Sequence, residues 1–460
     1  MEIRKNNPLA DGPIGGLMLK FAIPSIIAML VGALYNIVDQ FFIGQTVGTL
    51  GNAATNIAFP LSTMCIATAL MFGIGGASCF NLDMGRGKRD EAPYYIGNSV
   101  SMVLIIGFTL TLISQLFLKQ LLIGFGSPDD VLPYAMTYVR ITSIGFPFLI
   151  LTSAGGHLIR ADGSPNMSMI CNLSGAIINT VLDALFTMIL GWGIAGAAYA
   201  TIIGQIFSAG LVLNYMRRFK TVPLRKNHFI VKLRYVKKVA SIGIASFINQ
   251  VAMMIVQIVS NRSLKYYGAL SIYGASVPIA VAGIVTKVNQ VFFSVVIGIS
   301  QGSQPIESFN YGAKNFDRVR KAYKLAILAG GTMSILSFLV FQFAPRMIIS
   351  FFGEGSELYY EFGVKYFRIF FFFIWINCVQ PITTTFFTSI GKPKKGVFLS
   401  LTRQILFLLP LMLLLPKFFG IDGILYAGPI ADGTAALVAI LMAIYEFREM
   451  KKLENEIKNA

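Results

Sequence analysis

The chain has 460 residues, 55% of them hydrophobic and only 13% charged, with a mean hydropathy of +0.68. Soluble chains carry about 25% charged residues, so this balance excludes disorder, collagen, a coiled coil and a secreted disulfide scaffold, and leaves an integral membrane protein. The 38 Lys and Arg against 21 Asp and Glu give a formal +17, a surplus that reads either as nucleic-acid binding or as the basic cytoplasmic loops of a membrane protein.

Crossing a bilayer as a helix takes about 20 apolar residues. Twelve runs qualify, at 17–43, 52–80, 93–118, 131–156, 166–190, 193–216, 239–261, 270–303, 320–344, 358–388, 396–415 and 420–446, numbered here as spans 1 to 12. No ten-residue alternation recurs, which argues against a β-barrel. The first run is too long for a signal peptide and no small-residue cleavage site follows it.

The basic residues sort by side. Arg4 and Lys5 precede span 1; Arg86, Lys88 and Arg89 follow span 2; Arg160 follows span 4; nine Lys and Arg fill 217–238 after span 6. Lys314 to Lys321 follow span 8, Lys392 to Lys395 follow span 10, and Arg448 to Lys458 end the chain. The alternate loops hold only Lys119, Arg262, Lys265, Arg346 and Lys417, beside Asp129, Asp130, Glu354 and Glu357. By the positive-inside rule both termini face the cytoplasm of a multi-pass protein of the cell membrane. Basic residues spread over seven segments of one face give no support to nucleic-acid binding.

The chain also repeats itself. Tyr138-Val139-Arg140-Ile141 returns 228 residues later as Tyr366-Phe367-Arg368-Ile369, and Gly163-Ser164-Pro165 as Gly391-Lys392-Pro393. At an offset of 227, Gly193-Ile194-Ala195-Gly196 returns as Gly420-Ile421-Asp422-Gly423, and Gly85 to Asp90 as Gly312 to Asp317. Six spans per repeat is an even number, so both repeats run in the same sense, related by a pseudo-two-fold along the membrane normal. The fold class expected is all-α, with twelve transmembrane helices in two six-helix bundles. The boundaries expected are an amino lobe 1–216, a basic linker 217–238, a carboxy lobe 239–446 and a cytoplasmic tail 447–460. A parallel 6+6 repeat suits alternating access.

Ionisable residues inside spans cost about 2.5–3.5 kcal/mol each at a helix centre, so each requires a reason. Asp39 lies about 33 Å along span 1 and Asp183 about 26 Å along span 5. Asn179 is one turn below Asp183 on the same face. Thr201 in span 6 and Tyr138 in span 4 lie about 12 and 10 Å in from the outer end. Two carboxyls at similar depth in low dielectric share a proton or a cation, and Asp, Asn and Thr oxygens are also the ligands Na⁺ takes. Pro24 removes one helix hydrogen bond from span 1 and is a candidate hinge. The second lobe carries Lys287, Arg403 and Asp432, either a compensated buried network or groups that contact substrate. The position equivalent to Asp183 is Pro410, so the acid pair is not repeated. Cys65, Cys79, Cys171 and Cys378 read as small buried residues, and Gly73-Ile74-Gly75-Gly76 as close helix packing rather than a P-loop. His157 and His228 lie far apart, and no HExxH is present, so neither a metal centre nor an enzyme is expected.

These residues together resemble the multidrug and toxic compound extrusion (MATE) family, from Ala22-Ile23-Pro24 to about Tyr445. The pieces that carry the resemblance are Asn36-Ile37-Val38-Asp39 with Phe42-Ile43-Gly44, Gly85-Arg86-Gly87-Lys88, Arg160 to Pro165, and Asn179 to Asp183 followed by Gly193 to Ala198. The resemblance implies export of cationic or amphipathic drug-like molecules in exchange for H⁺ or Na⁺, with no other cofactor and a monomer as the working unit. It places the cation site, including a possible Na⁺, on Asp39, Asn179, Asp183 and Thr201, and the bend on Pro24. Tyr35, Asn36, Tyr138, Lys287, Arg403 and Asp432 are then candidates for the substrate cavity. The alternative is a flippase of lipids or lipid-linked sugars from the same superfamily, which a cationic cavity at Lys287 and Arg403 would favour.

Overall fold

The computed structural model describes residues 8–274, 276–352 and 356–459. Arg4, Lys5, Glu354 and the side chain of Lys458, counted above with the loop charges, lie outside the described residues. Eleven helices are long and apolar enough to cross a membrane, and a pair bent by 47° makes the twelfth. In order they are Ile14–Thr46, Leu50–Gly85, Ala92–Leu116, Leu132–Ala161, Pro165–Ile189 and Gly193–Met216, then Leu233–Ala269, Val277–Gly312, Phe316–Phe343, the pair Glu357–Phe370 with Ile374–Ser389, Pro393–Phe419 and Ile421–Ile457. Several run past their apolar cores, because apolarity marks membrane contact whereas the hydrogen-bonded ladder continues into polar sequence. Span 8 thus reaches Gly312 rather than residue 303, and the tail 447–460 continues span 12 as one helix to Asn459.

Compactness divides the described chain inside spans 1 and 7, not at their ends: Lys20–Phe247 form one unit and the remainder the other. This differs from the expected boundaries at 216 and 239, and the reason is local packing. The first turns of span 7 are clamped to the amino unit. A Cβ on Gly243 would lie 1.8 Å from the Met71 carbonyl oxygen, and one on Gly75 2.3 Å from that of Val239; only glycine permits that crossing. Lys238 then donates to Tyr95 Oη at 2.6 Å and to Asp83 Oδ2 at 3.3 Å. The segment before it is tied down too. Asn98 Nδ2 donates to the His228 carbonyl at 3.1 Å, and Ser101 to that of Phe229 at 2.6 Å. Asp162 accepts from Tyr215 Oη and Lys220 N, both at 2.7 Å, and from the amide and hydroxyl of Thr221. In the other unit, the short helix Pro8–Asp11 is held by Asn310 Nδ2 on the Leu9 carbonyl at 2.9 Å and Arg318 on that of Gly12 at 2.7 Å.

The duplication is written into the backbone. Span 4 breaks at Ser143–Gly145, a turn of 3₁₀ helix before Pro147. Span 10 breaks 228 residues on, between Phe370 and Ile374. Gln115 Nε2 donates to the Arg140 carbonyl at 2.7 Å, and its repeat partner Gln342 donates to that of Arg368 at 3.0 Å. Each glutamine donates to a carbonyl in the last turn before the break, where helix carbonyls lose their regular partners. Gly163 and Gly391 have φ of 77° and 73°, Gly193 and Gly420 of 55° and 58°.

The Gly73-Ile74-Gly75-Gly76 segment packs as expected, with each glycine meeting a different neighbour. Added Cβ atoms would meet Ala154 Cα at 2.8 Å, the Val239 carbonyl oxygen, and Ser99 Oγ at 2.3 Å. All four cysteines are buried and unbridged. Arg160, read above as a loop charge, is instead buried at the end of span 4, donating to Ser168 Oγ at 2.9 Å and facing His157 Nδ1 at 3.0 Å.

Candidate coupling site in the amino unit

Spans 5 and 6 cross where two glycines meet. A Cβ on Gly204 would lie 2.7 Å from the Gly175 carbonyl oxygen and 3.1 Å from Asn179 Cβ, while one on Gly175 would lie 2.1 Å from Ser208 Oγ. That approach sets Asn179 against span 6, where its Nδ2 donates to Thr201 Oγ1 at 3.2 Å. Thr201 in turn donates to the Ala197 carbonyl at 2.9 Å, so its remaining lone pair faces the site. One turn above Asn179, Asp183 is fully buried. The span then continues as a π-helix, Ala184–Ile189, and Thr187 donates to the Asp183 carbonyl at 2.6 Å. Single π turns of this kind re-aim side chains at functional sites.

Span 1 brings the second acid. Asp39 is buried, and its carboxyl comes within hydrogen-bonding reach of that of Asp183. Tyr35, one turn away, reaches Thr201 and lies close to both acids, and Tyr138 lies close to Asp39, Asp183 and Tyr35. Asp39 Oδ1, both carboxyl oxygens of Asp183 and Asn179 Oδ1 accept no hydrogen bond from any donor among the described residues. Four acceptor oxygens without a donor, in a buried place, require something positive between them. A proton shared by the two carboxyls supplies it, and the Asp39, Asp183, Asn179 and Thr201 oxygens equally form the oxygen set a small hard cation takes.

The structure therefore gathers six of the candidates, Asp39, Asp183, Asn179, Thr201, Tyr35 and Tyr138. Asn36 stays apart: it is exposed, and its amide donates to the Gly32 carbonyl at 3.0 Å. In the other unit, Arg403 Nε donates to Asp432 Oδ1 at 2.6 Å, and Asn377 Nδ2 holds Asp432 Oδ2 at 3.1 Å. Arg403 stands on a second π segment, Thr402–Leu408, with its guanidinium 6.0 Å from the Phe293 ring. The expected three-charge network is thus a pair: Lys287 makes no ion pair among the described residues.

Sequence reasoning missed four buried acids: Asp83 and Asp162, whose partners are given above, and Glu446 and Glu307. Glu446 is fully buried and joins Lys392 and Lys395 at 2.5 and 2.6 Å, a pattern hidden because its partners sit 50 residues away. Glu307 is also fully buried and meets no base. The signal for it was present: Gln301, Ser303, Gln304 and Glu307 recur at helical spacing just past the apolar run that ended at 303.

Comparison with known proteins bears on the family and the fold. The MatE family profile matches residues 24–185 and 245–414. The multidrug export protein MepA of Staphylococcus haemolyticus is 23% identical over 433 residues, covering 94% of this chain and 93% of that one. A structure described as the outward-facing conformation of a multidrug resistance MATE transporter of the MOP superfamily superposes with a TM-score of 0.90 at 21% identity, covering 97% of this chain and 99% of the other. A MOP superfamily transporter from Pyrococcus furiosus, whose description speaks of reverse polarity of the binding pocket, gives 0.89 at 22% identity with the same coverage. With its fold and most of its length matched in this way, the chain belongs to the MatE family: it is a twelve-helix membrane transporter of the multidrug and toxic compound extrusion type, not an enzyme.

Proposed function

We propose that this transporter exports cationic or amphipathic drug-like molecules in exchange for H⁺ or Na⁺, with Asp39 and Asp183 as the coupling pair. The observation that supports it is the convergence of two buried carboxyls and Asn179 with four oxygens lacking any donor. Two adjacent carboxylates cannot both stay ionised away from water, so the pair binds one positive charge at a time. Loading from outside neutralises the pair and removes its attraction for a cationic substrate, which leaves. By linkage, substrate weakens the affinity for the coupling ion by the same factor. Pro24 supplies the bend in span 1 through which loading at Asp39 is felt, since the residue cannot donate to the Lys20 carbonyl one turn back. The name of the Staphylococcus relative, a multidrug export protein, supports the same substrate class. The basic loops support cytoplasmic termini in the cell membrane, and a monomer is the working unit.

Replacing Asp183 with Asn in cells lacking other pumps tests this: drug resistance should be lost while the amount of protein in the membrane stays unchanged. Full resistance from the Asp39→Asn, Asp183→Asn double variant would exclude the mechanism. A flippase reading draws on one observation, the half-buried Lys287 within span 8, which makes no ion pair among the described residues, because a cation inside a span suits an anionic headgroup. Parallel transport assays with a fluorescent cation and a lipid-linked sugar separate the two.

A further inference from the structure

Span 8 carries a carboxyl that the coupling site does not use. Glu307 is fully buried on Val277–Gly312, five residues from the end that leads into the basic loop at Lys314. Neither of its oxygens has a hydrogen bond of good geometry, and its nearest polar neighbours are the hydroxyls of Ser303, one turn back, and Ser389, at the end of the inner half of span 10. Each hydroxyl has a backbone carbonyl as its better-placed acceptor. Ser303 Oγ donates to the Ser300 carbonyl at 2.9 Å and Ser389 Oγ to the Thr385 carbonyl at 2.8 Å. Tyr323, the titratable group facing Glu307 from span 9, pairs with Thr383 Oγ1 at 2.8 Å, and Thr383 donates onward to the Val379 carbonyl.

Lys324 of span 9 is exposed, and the other charged groups of the surrounding elements named here hold partners elsewhere. Arg318 of span 9 holds Asn310 Oδ1 and the Leu9 and Gly12 carbonyls. Arg320 pairs with Glu454, and Lys321 with Asp317. Lys392 and Lys395, just past Ser389, close on Glu446. On the outer half of span 10, Lys365 pairs with Asp422, and Glu361 accepts from Tyr273. Asp11, on the short helix against span 8, adds no positive charge. An ionised carboxylate at 307 would face two hydroxyls in poor hydrogen-bond geometry and no base among the described residues, an unfavourable arrangement away from water. A neutral carboxyl has what the ionised one lacks: an O–H to place on a serine lone pair. The repeat shows that the fold does not need an acid here. The equivalent position in the amino unit is Phe80, which packs edge-on against Phe219 at 5.6 Å.

We propose that Glu307 is a second proton-binding site of this transporter, lodged between Ser303 and Ser389 in the carboxy unit and independent of the Asp39–Asp183 pair. The ion is a proton rather than a metal: one carboxyl and two hydroxyls offer four oxygens, whereas hard metal cations take about six or more. Binding is the simple addition of H⁺ to the carboxylate and forms no other bond.

Infrared spectra of the purified full chain in lipid test it without any drug. The carbonyl stretch of a protonated carboxyl, shifting in heavy water, should be present at neutral pH and survive in the Asp39→Asn, Asp183→Asn variant. It should vanish in Glu307→Gln and fade as the pH is raised. Spectra of Glu307→Gln identical to wild type would overturn the proposal, and so would a Glu307 band constant across the whole pH range of the folded protein, which would mark a fixed structural proton. Should the glutamine variant fail to fold, Glu307→Asp keeps the test open, since it must retain the band at a displaced frequency. The result stands apart from drug export: loss of the coupling pair's function leaves this band in place, and loss of this band leaves the coupling pair untouched.

Discussion

Lys314 is the one non-glycine residue with positive φ among the described residues, at 59°, and its repeat partner is Gly87 at 81°. Both terminate the helix before a basic loop, and the left-handed conformation costs a side chain about 1–2 kcal/mol. Glycine recovers that strain but loses more chain entropy on folding, so Lys314→Gly should stabilise the protein by about 0.5–1 kcal/mol. A higher midpoint in thermal unfolding would register it. Arg403 poses the opposite case. Its removal strands the Asp432 charge in a buried site, so Arg403→Ala should destabilise by about 3–5 kcal/mol, while Arg403→Met with Asp432→Leu should recover most of the loss. A double-mutant cycle on thermal stability measures both. At this scale the sequence was readable wherever a charge interrupted an apolar run, which is why Asp39, Asp183, Arg403 and Asp432 stood out. Glu307 and Arg160 were obscured because polar neighbours made them look like loop residues, and only the extended helix reveals them as buried.

At the scale of elements, span 1 is a single helix, Ile14–Thr46, with Pro24 inside it. The compact units divide between Leu19 and Lys20, one turn before that proline, so the missing hydrogen bond lies where the helix passes from one unit to the other. Pro24→Ala restores the bond. It should leave folding intact or improved and lower drug export, measured by efflux from loaded cells; unchanged export would deny Pro24 a hinge role. The segment before span 7 is docked within the amino unit. His228 Nδ1 accepts from the Arg225 amide at 3.0 Å and its ring packs against Tyr94. Burial lowers its pKa below the ordinary 6.5, with Arg225 and Lys232 adding to the effect. A depressed histidine contributes docking that is complete above about pH 6.5 and is lost as pH falls toward the folded value, because the released segment binds the proton more readily. Limited proteolysis of 217–232 should therefore accelerate below about pH 6.5, and His228→Gln should remove the acceleration. Periodicity and apolarity set the spans within a few residues. They did not register the breaks at Ser143–Gly145 and after Phe370, since a 3₁₀ turn or a bend changes hydrogen-bond partners without changing composition.

For the whole molecule, duplication explains the architecture, and the proposed coupling pair lies among its exceptions. Backbone features recur at an offset of 227 or 228: the broken spans, the Gln115 and Gln342 bonds and the positive-φ glycines. Arg140 recurs as Arg368, but the buried acids and bases of the two units do not recur. Among the described residues, the amino unit keeps Asp39 and Asp183 without a paired base, whereas the carboxy unit neutralises Asp432 with Arg403 and gives Lys287 no ion pair. Both the repeat and this asymmetry were legible from residue identities and offsets, because each depends on what occupies a position. The exchange of first turns between the units was not legible, since it depends on glycines such as Gly75 and Gly243 admitting close backbone crossings that sequence spacing cannot distinguish from ordinary packing. The central claim is that Asp39 and Asp183 exchange an ion for drug. Uptake of a fluorescent cation by inverted vesicles, with a proton gradient and a sodium gradient imposed separately, addresses it directly. At least one gradient should drive uptake in the wild type, and neither should do so in the Asp39→Asn, Asp183→Asn variant; gradient-driven uptake at the wild-type rate in that variant would contradict the claim.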